Sequence, residues 1–209
     1  MIDYNEIMNK LEKSIFEANK KRFQNAPNPL KSHGPDHHWR VYQYCLLLAK
    51  MMGVNYDSDV MCGAALLHDI AAYYPDEVGD NYHQFDDKIA KKILLEINFP
   101  QEKIDKVLYA IANHGSDPRY KKSDESIETT VLRDADKLDV FGPIGVARII
   151  MVRSLKGDTL DEIVDNFYTK GHLKRKWESI TTSEARSLAK ENYSYSKNFF
   201  ERLSRGIES

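Results

Sequence analysis

The chain has 209 residues, 42% of them hydrophobic and 30% charged, which is enough to bury one substantial core and suits one domain with at most an appendage. A formal net charge of −2 argues against a dedicated nucleic-acid binder, and no run approaches the roughly 18 apolar residues that a membrane span requires. Acidic residues stand at once near the N-terminus with no long apolar stretch behind them, and the two cysteines, Cys45 and Cys62, lie in apolar helical patterns without a C-x-x-C pair. A soluble cytoplasmic protein with reduced, buried thiols is expected.

The first segment, Asp3 to about Phe23, opens with the capping-box spacing Asp3-Tyr4-Asn5-Glu6 and carries Ile7, Leu11, Ile15 and Phe16 on one face. It yields at Asn25-Ala26-Pro27-Asn28-Pro29, where proline cannot continue the ladder, and a loop runs to His33-Gly34-Pro35-Asp36. A second helix is predicted from near His37, with Val41, Tyr44, Cys45, Leu48 and Ala49 at helical spacing and His37, Arg40 and Tyr44 along one side. Gly53 closes it, and Asp57-Ser58 is placed to cap the next helix. That helix, Asp59 to Ile70, is an apolar run ending in His68-Asp69, whose Ala/Leu content and lack of alternation suit a buried helix. A carboxylate taken that deep needs an offsetting partner, either a metal ion or a buried Arg or Lys.

Ala71 to about Tyr82, with Pro75, Gly79 and several acids, reads as a loop. An amphipathic helix from about Gln84 to Ile97 turns Ile89, Ile93 and Leu94 inward and Lys88, Lys91 and Lys92 to solvent. Another starts at Pro100-Gln101-Glu102 and ends at Asn113-His114-Gly115. From Ser126 to Val140, ionisable residues of alternating sign flank an apolar Val/Leu stripe, so the polar face must look into a cavity or into water. Gly142-Pro143 breaks this helix, and Ile144 to Ser154 resumes as a mostly apolar one with Arg148 and Arg153. Thr159-Leu160-Asp161-Glu162 is a capping box for a helix with Ile163, Phe167 and Tyr168; the last helix runs from near Ser183-Glu184 to about Leu203, its aromatics Tyr193, Tyr195, Phe199 and Phe200 expected in the core. No strand is predicted. The expected architecture is an all-α, single-core helical domain, with a C-terminal helical extension.

Four of the seven histidines, His37, His68, His83 and His114, fall at predicted helix ends, and Asp69 and Asp136 are carboxylates able to join them. Imidazole nitrogen with carboxylate oxygen suits Mn, Fe, Co, Ni or Zn as the divalent ion, Mg less so, and leaves open positions as a catalytic site does. Spacing alone does not fix a ligand set, because the residues lie on separate helices.

The ordered motifs add a resemblance. His37-His38-Trp39-Arg40-Val41 is similar to the H-x-x-R-V opening of HD-domain proteins, Ala65-Leu66-Leu67-His68-Asp69-Ile70 to their HD signature, and Asp134-Ala135-Asp136-Lys137-Leu138-Asp139 to their closing D-A-D-(K/R)-L-(D/E) segment. Gly142-Pro143-Ile144-Gly145-Val146-Ala147-Arg148 and the tail from Thr181-Thr182-Ser183-Glu184-Ala185-Arg186 resemble those of a bacterial subgroup of small HD phosphohydrolases. The resemblance runs from about His33 onward; Gly34 departs from it, standing where many subgroup members have Asp, and Asp36 is the nearby substitute.

What the resemblance implies is a helical bundle of the HD type, with a motif-bearing core over about residues 26–155 and an extension over about 156–209. It implies a metal held by His37, His68, Asp69 and Asp136, with His83 and His114 as candidates for a second metal or for phosphate. Asp69 would also orient the attacking water, while Arg40, Lys137 and Arg148 are candidates to meet the charge of a phosphoryl group. His33, His38 and His172 are read as surface residues or as neighbours of the ligands. The expected activity is hydrolysis of a small phosphate ester or anhydride, a nucleotide above all, dependent on Mn, Mg, Co, Ni or Fe, in a chain that can form a homodimer. A di-iron oxygenase and a non-catalytic nucleotide or phosphate sensor are the alternatives.

Overall fold

In the computed structural model, which describes residues 8–78, 82–115 and 125–207 without the side chains of 78 and 82–84, every regular element is helical. Two compact units are resolved, Met1–Arg133 and Asp134–Ser209.

The first unit opens with α1 (Lys10–Asn25). The capping box expected at Asp3-Glu6 lies outside the described residues; a different one starts α1, in which the Asn9 side chain accepts from the Leu11 and Glu12 N–H groups and Glu12 accepts from Asn9 N–H. A short 3₁₀ turn, Lys31–His33, leads into α2 (Pro35–Met52), which begins two residues before the predicted His37 because Pro35 already has the φ of a first helical turn. Gly53 ends α2 at φ +64°, a left-handed conformation that glycine adopts without penalty.

α3 (Ser58–Leu67) is the centre of this unit, with every residue from Val60 to Leu67 buried. It packs against α1, α2 and α6, and each large apolar side chain so buried contributes roughly 1.5–3 kcal/mol. Gly63 permits the approach to α6, since a Cβ there would stand 3.0 Å from Val107 Cγ2. Asp57 caps α3 as expected, accepting from the Asp59 and Val60 N–H groups.

The stretch from Ala71, read from sequence as a loop, is structured: a 3₁₀ turn covers Ile70–Tyr73 with all four residues buried, and α4 (Pro75–Val78) follows. Ala71 and Ala72 are small enough to pass through the core, which a composition argument does not register. α5 (Tyr82–Glu96) exposes Lys88, Lys91 and Lys92, and α6 (Gln101–Asn113) ends on His114. Cys45 and Cys62 are both buried thiols.

α7 (Ile127–Leu138) is one unbroken helix across the division, so its last turn belongs to the second unit. There α8 (Gly142–Leu155) starts at Gly142, whose φ of +79° and whose N–H donated to Ser196 Oγ at 2.8 Å set the break. α9 (Leu160–Val164) has the predicted Thr159–Glu162 box and continues as a π turn to Thr169. α10 (His172–Glu178) was not foreseen, because only Leu173 and Trp177 are apolar in it and no periodic stripe forms. α11 (Ser183–Ile207) buries Phe200 and stacks Tyr193 on Trp177 at 4.6 Å between centroids, whereas Tyr195, expected in the core, is 46% exposed.

Candidate metal centre

The end of α3 builds the site. His68 caps the helix, and its Nδ1 lies 2.9 Å from the Ala65 carbonyl oxygen. A carbonyl only accepts, so Nδ1 carries the proton and the bare Nε2 faces the interior. His114 repeats the device at the end of α6, with Nδ1 2.6 Å from the Ile111 carbonyl. His37, in the first turn of α2, brings its Nε2 to 3.1 Å from His68 Nε2. Asp69 follows His68 out of the helix at φ −122°, ψ 30°, which turns its carboxylate back among the rings: Oδ2 is 3.8 Å from both His37 Nε2 and His68 Nε2, and Oδ1 is 3.6 Å from His114 Nε2.

Burial opposes the negative charge of Asp69, yet the imidazoles of His68, His114 and His37 hold its carboxyl well below the usual range. An ionised carboxylate therefore faces three imidazole nitrogens, two of which converge with no apolar atom to separate them. Ligands about 2.1 Å from an ion and at right angles to one another are about 3 Å apart, so the His37–His68 separation of 3.1 Å fits two cis ligands. The nitrogen atoms of His37 and His68 with the Asp69 carboxylate make a mixed nitrogen and oxygen set able to hold a divalent metal ion. α7 carries Asp136.

Two histidines read from the sequence as surface residues or as neighbours of the ligands lie beside this centre. His33 Nε2 is 4.0 Å from Asp69 Oδ2, its Nδ1 is 2.9 Å from Ser32 Oγ, and its side chain is 25% exposed, at the open side of the cluster. Its one signal in the sequence is its place four residues before His37. His38 is fully buried, with its ring edge-on to His68 at 4.9 Å between centroids. Burial holds its imidazole neutral, and the adjacent His68 and His37 push its pKa further down. His172 instead packs edge-on against Phe167 in the second unit.

Arg40 is half-buried on α2, one turn beyond His37. Lys137 is buried, donates to the Ser179 carbonyl at 2.5 Å and stands 3.7 Å from Asp134. Arg148 donates to Asp139 Oδ2 at 2.6 Å. Both of these cations thus face partners on their own unit. The His83 side chain lies outside the described residues.

Comparison with known proteins gives a consistent result. The family model of the HD domain matches residues 36–140. The Bacillus subtilis (strain 168) protein YpgQ is 30% identical over 187 residues, which cover 85% of this chain and 88% of YpgQ. The crystal structure of B. subtilis YpgQ in complex with ADP superposes with a TM-score of 0.70 at 22% identity, covering 94% of this chain and 97% of that one. A Bacillus thuringiensis HD-superfamily hydrolase gives 0.67 at 24% identity, covering 96% and 97%.

Proposed function

Since this chain belongs to the HD-domain family, we propose that it is a metal-dependent phosphohydrolase that cleaves a small phosphate ester or anhydride, with a nucleotide as the preferred substrate class. The observation that carries this reading is the convergence of His37, His68 and Asp69 on one point, and Asp136 is the proposed fourth ligand. The ADP held by the related YpgQ supports the nucleotide.

What a divalent ion supplies when bound is Lewis acidity, which brings the pKa of water from about 15.7 to about 7 and polarises a phosphoryl oxygen. The protein's own residues do the rest. The backbone carbonyls of Ala65 and Ile111 hold the His68 and His114 rings in the Nδ1–H form, leaving Nε2 to coordinate or accept. Asp69, ionised, offers one oxygen to the cluster and the other toward His114, so it can also orient the attacking water. Arg40 supplies positive charge for phosphate oxygens one turn from His37, and His33 stands on the exposed side where substrate enters.

Phosphate and pyrophosphate release from a nucleotide and phosphomonoester panel, with Mn²⁺, Mg²⁺, Co²⁺ and Ni²⁺ each added, tests the reading. Metal-dependent turnover by the wild type that falls at least 100-fold in Asp69→Ala is expected; no release with any metal, or an unaffected variant, would overturn it. His114, 3.6 Å from Asp69 Oδ1, favours as the second reading a two-iron centre acting on dioxygen. Retained iron with a mixed-valent signal in electron paramagnetic resonance would select it.

A further inference from the structure

Asn19 on α1, Tyr73 in the 3₁₀ turn and His38 on α2 are each fully buried, and none is among the proposed metal ligands. Their hydrogen bonds form a chain with one direction. The Tyr73 hydroxyl donates to Asn19 Oδ1 at 2.6 Å, so its oxygen is left to accept from His38 Nδ1, 3.1 Å away. The same Nδ1 lies 3.2 Å from the Gly34 carbonyl, which requires the proton on that nitrogen. At the other end, Asn19 Nδ2 donates to the Leu66 carbonyl at 2.6 Å. Leu66 is in the last turn of α3, where carbonyls lack an intrahelical partner.

The two ends of this chain grip the backbone just before two of the grouped histidines. Gly34 is the residue that caps α2, and its carbonyl also accepts from His37 N–H. Leu66 stands two residues before His68. Between the ends, the His38 ring is wedged 4.9 Å from His68 and 5.5 Å from His37, centroid to centroid. His38 Nε2 is left buried without a hydrogen-bond partner, a destabilising arrangement that an apolar side chain would avoid.

We propose that Asn19, Tyr73 and His38 form a positioning network that sets the separation of His37 and His68, and so the affinity of the metal centre on whose assignment this reading rests. The network acts through the ligands and touches no substrate.

The test is Mn²⁺ titration calorimetry on the full chain, paired with the melting temperature of the metal-free protein. Tyr73→Phe, which deletes one hydroxyl, is expected to weaken Mn²⁺ binding on the order of tenfold, the low end of the effect of removing partners that orient metal ligands. The double variant Asn19→Leu/Tyr73→Phe also strands the Leu66 carbonyl, so it weakens Mn²⁺ binding at least as much as Tyr73→Phe. Thr159→Ala, which uncaps α9 in the other unit, lowers the melting temperature and leaves binding unchanged. Binding in both network variants within twofold of wild type would overturn the proposal and leave the network a stability element only. Failure of the wild type itself to bind Mn²⁺ would overturn the metal centre, and the positioning role with it.

Discussion

Asp134 and Asp136 stand two residues apart on α7, and the work of Asp134 is structural. Asp134 is fully buried and accepts from the backbone N–H and the hydroxyl of both Thr181 and Thr182, five hydrogen bonds between 2.7 and 3.1 Å. It ties the segment before α11 to the last turns of α7. Asp134→Ala should therefore lower stability by about 3 kcal/mol, since it strands several donors at once, and urea denaturation would check this. Sequence alone could not divide the work between the two: both are acids in one ionisable stretch, and only the ordered motif singled out Asp136 as a candidate ligand. His33 and His38 were harder still. What buries His38 is tertiary contact with Tyr73 and His68, and what places His33 is its approach to Asp69, neither of which spacing reveals.

At the scale of elements, α3 depends on its first residue as much as on its core face. Asp57 caps it and also accepts from Lys103 Nζ at 2.9 Å. Partial burial works against the Asp57 charge, but the Lys103 ammonium and the two capped N–H groups hold its carboxyl below the ordinary value. A carboxyl with a depressed folded pKa contributes stability above its unfolded pKa and loses it as pH falls through the folded one. Asp57→Asn should accordingly be less stable than wild type above about pH 4, with the gap narrowing on acidification; thermal melts from pH 7 to pH 3 measure it. In α8 the constraint is steric. A Cβ on Gly145 would lie 2.0 Å from the Val140 carbonyl oxygen, so Gly145→Ala should lower stability by about 2–3 kcal/mol, read from chemical denaturation. The elements legible in advance were those with an apolar stripe or a capping signature, such as α2, α3, α6 and α9. Those that were not, α4 and α10, are short and held by contacts rather than by period.

For the molecule as a whole, the charged cluster around Asp69 makes stability depend on what is bound. A divalent ion that binds only the folded chain adds about 2.7 kcal/mol at a hundred times its Kd. The melting temperature should thus rise by several degrees with Mn²⁺, fall again on chelation, and stay unmoved by either in Asp69→Ala; differential scanning calorimetry would follow all three. The all-helical class was readable from periodicity, whereas the approach of His37 to His68 was not, because residues far apart in sequence carry no spacing rule.

His68 and His114 are each oriented by the carbonyl three residues behind them in their own helix. Each ring therefore takes its tautomer and tilt from the terminus that bears it, while the network of Asn19, Tyr73 and His38 bears on the spacing between His37 and His68. Replacing wall residues should change which molecule is admitted while the aim of these rings persists. A scaffold of this kind is suited to diversification, in which new specificities arise by mutation around an inherited reactive core.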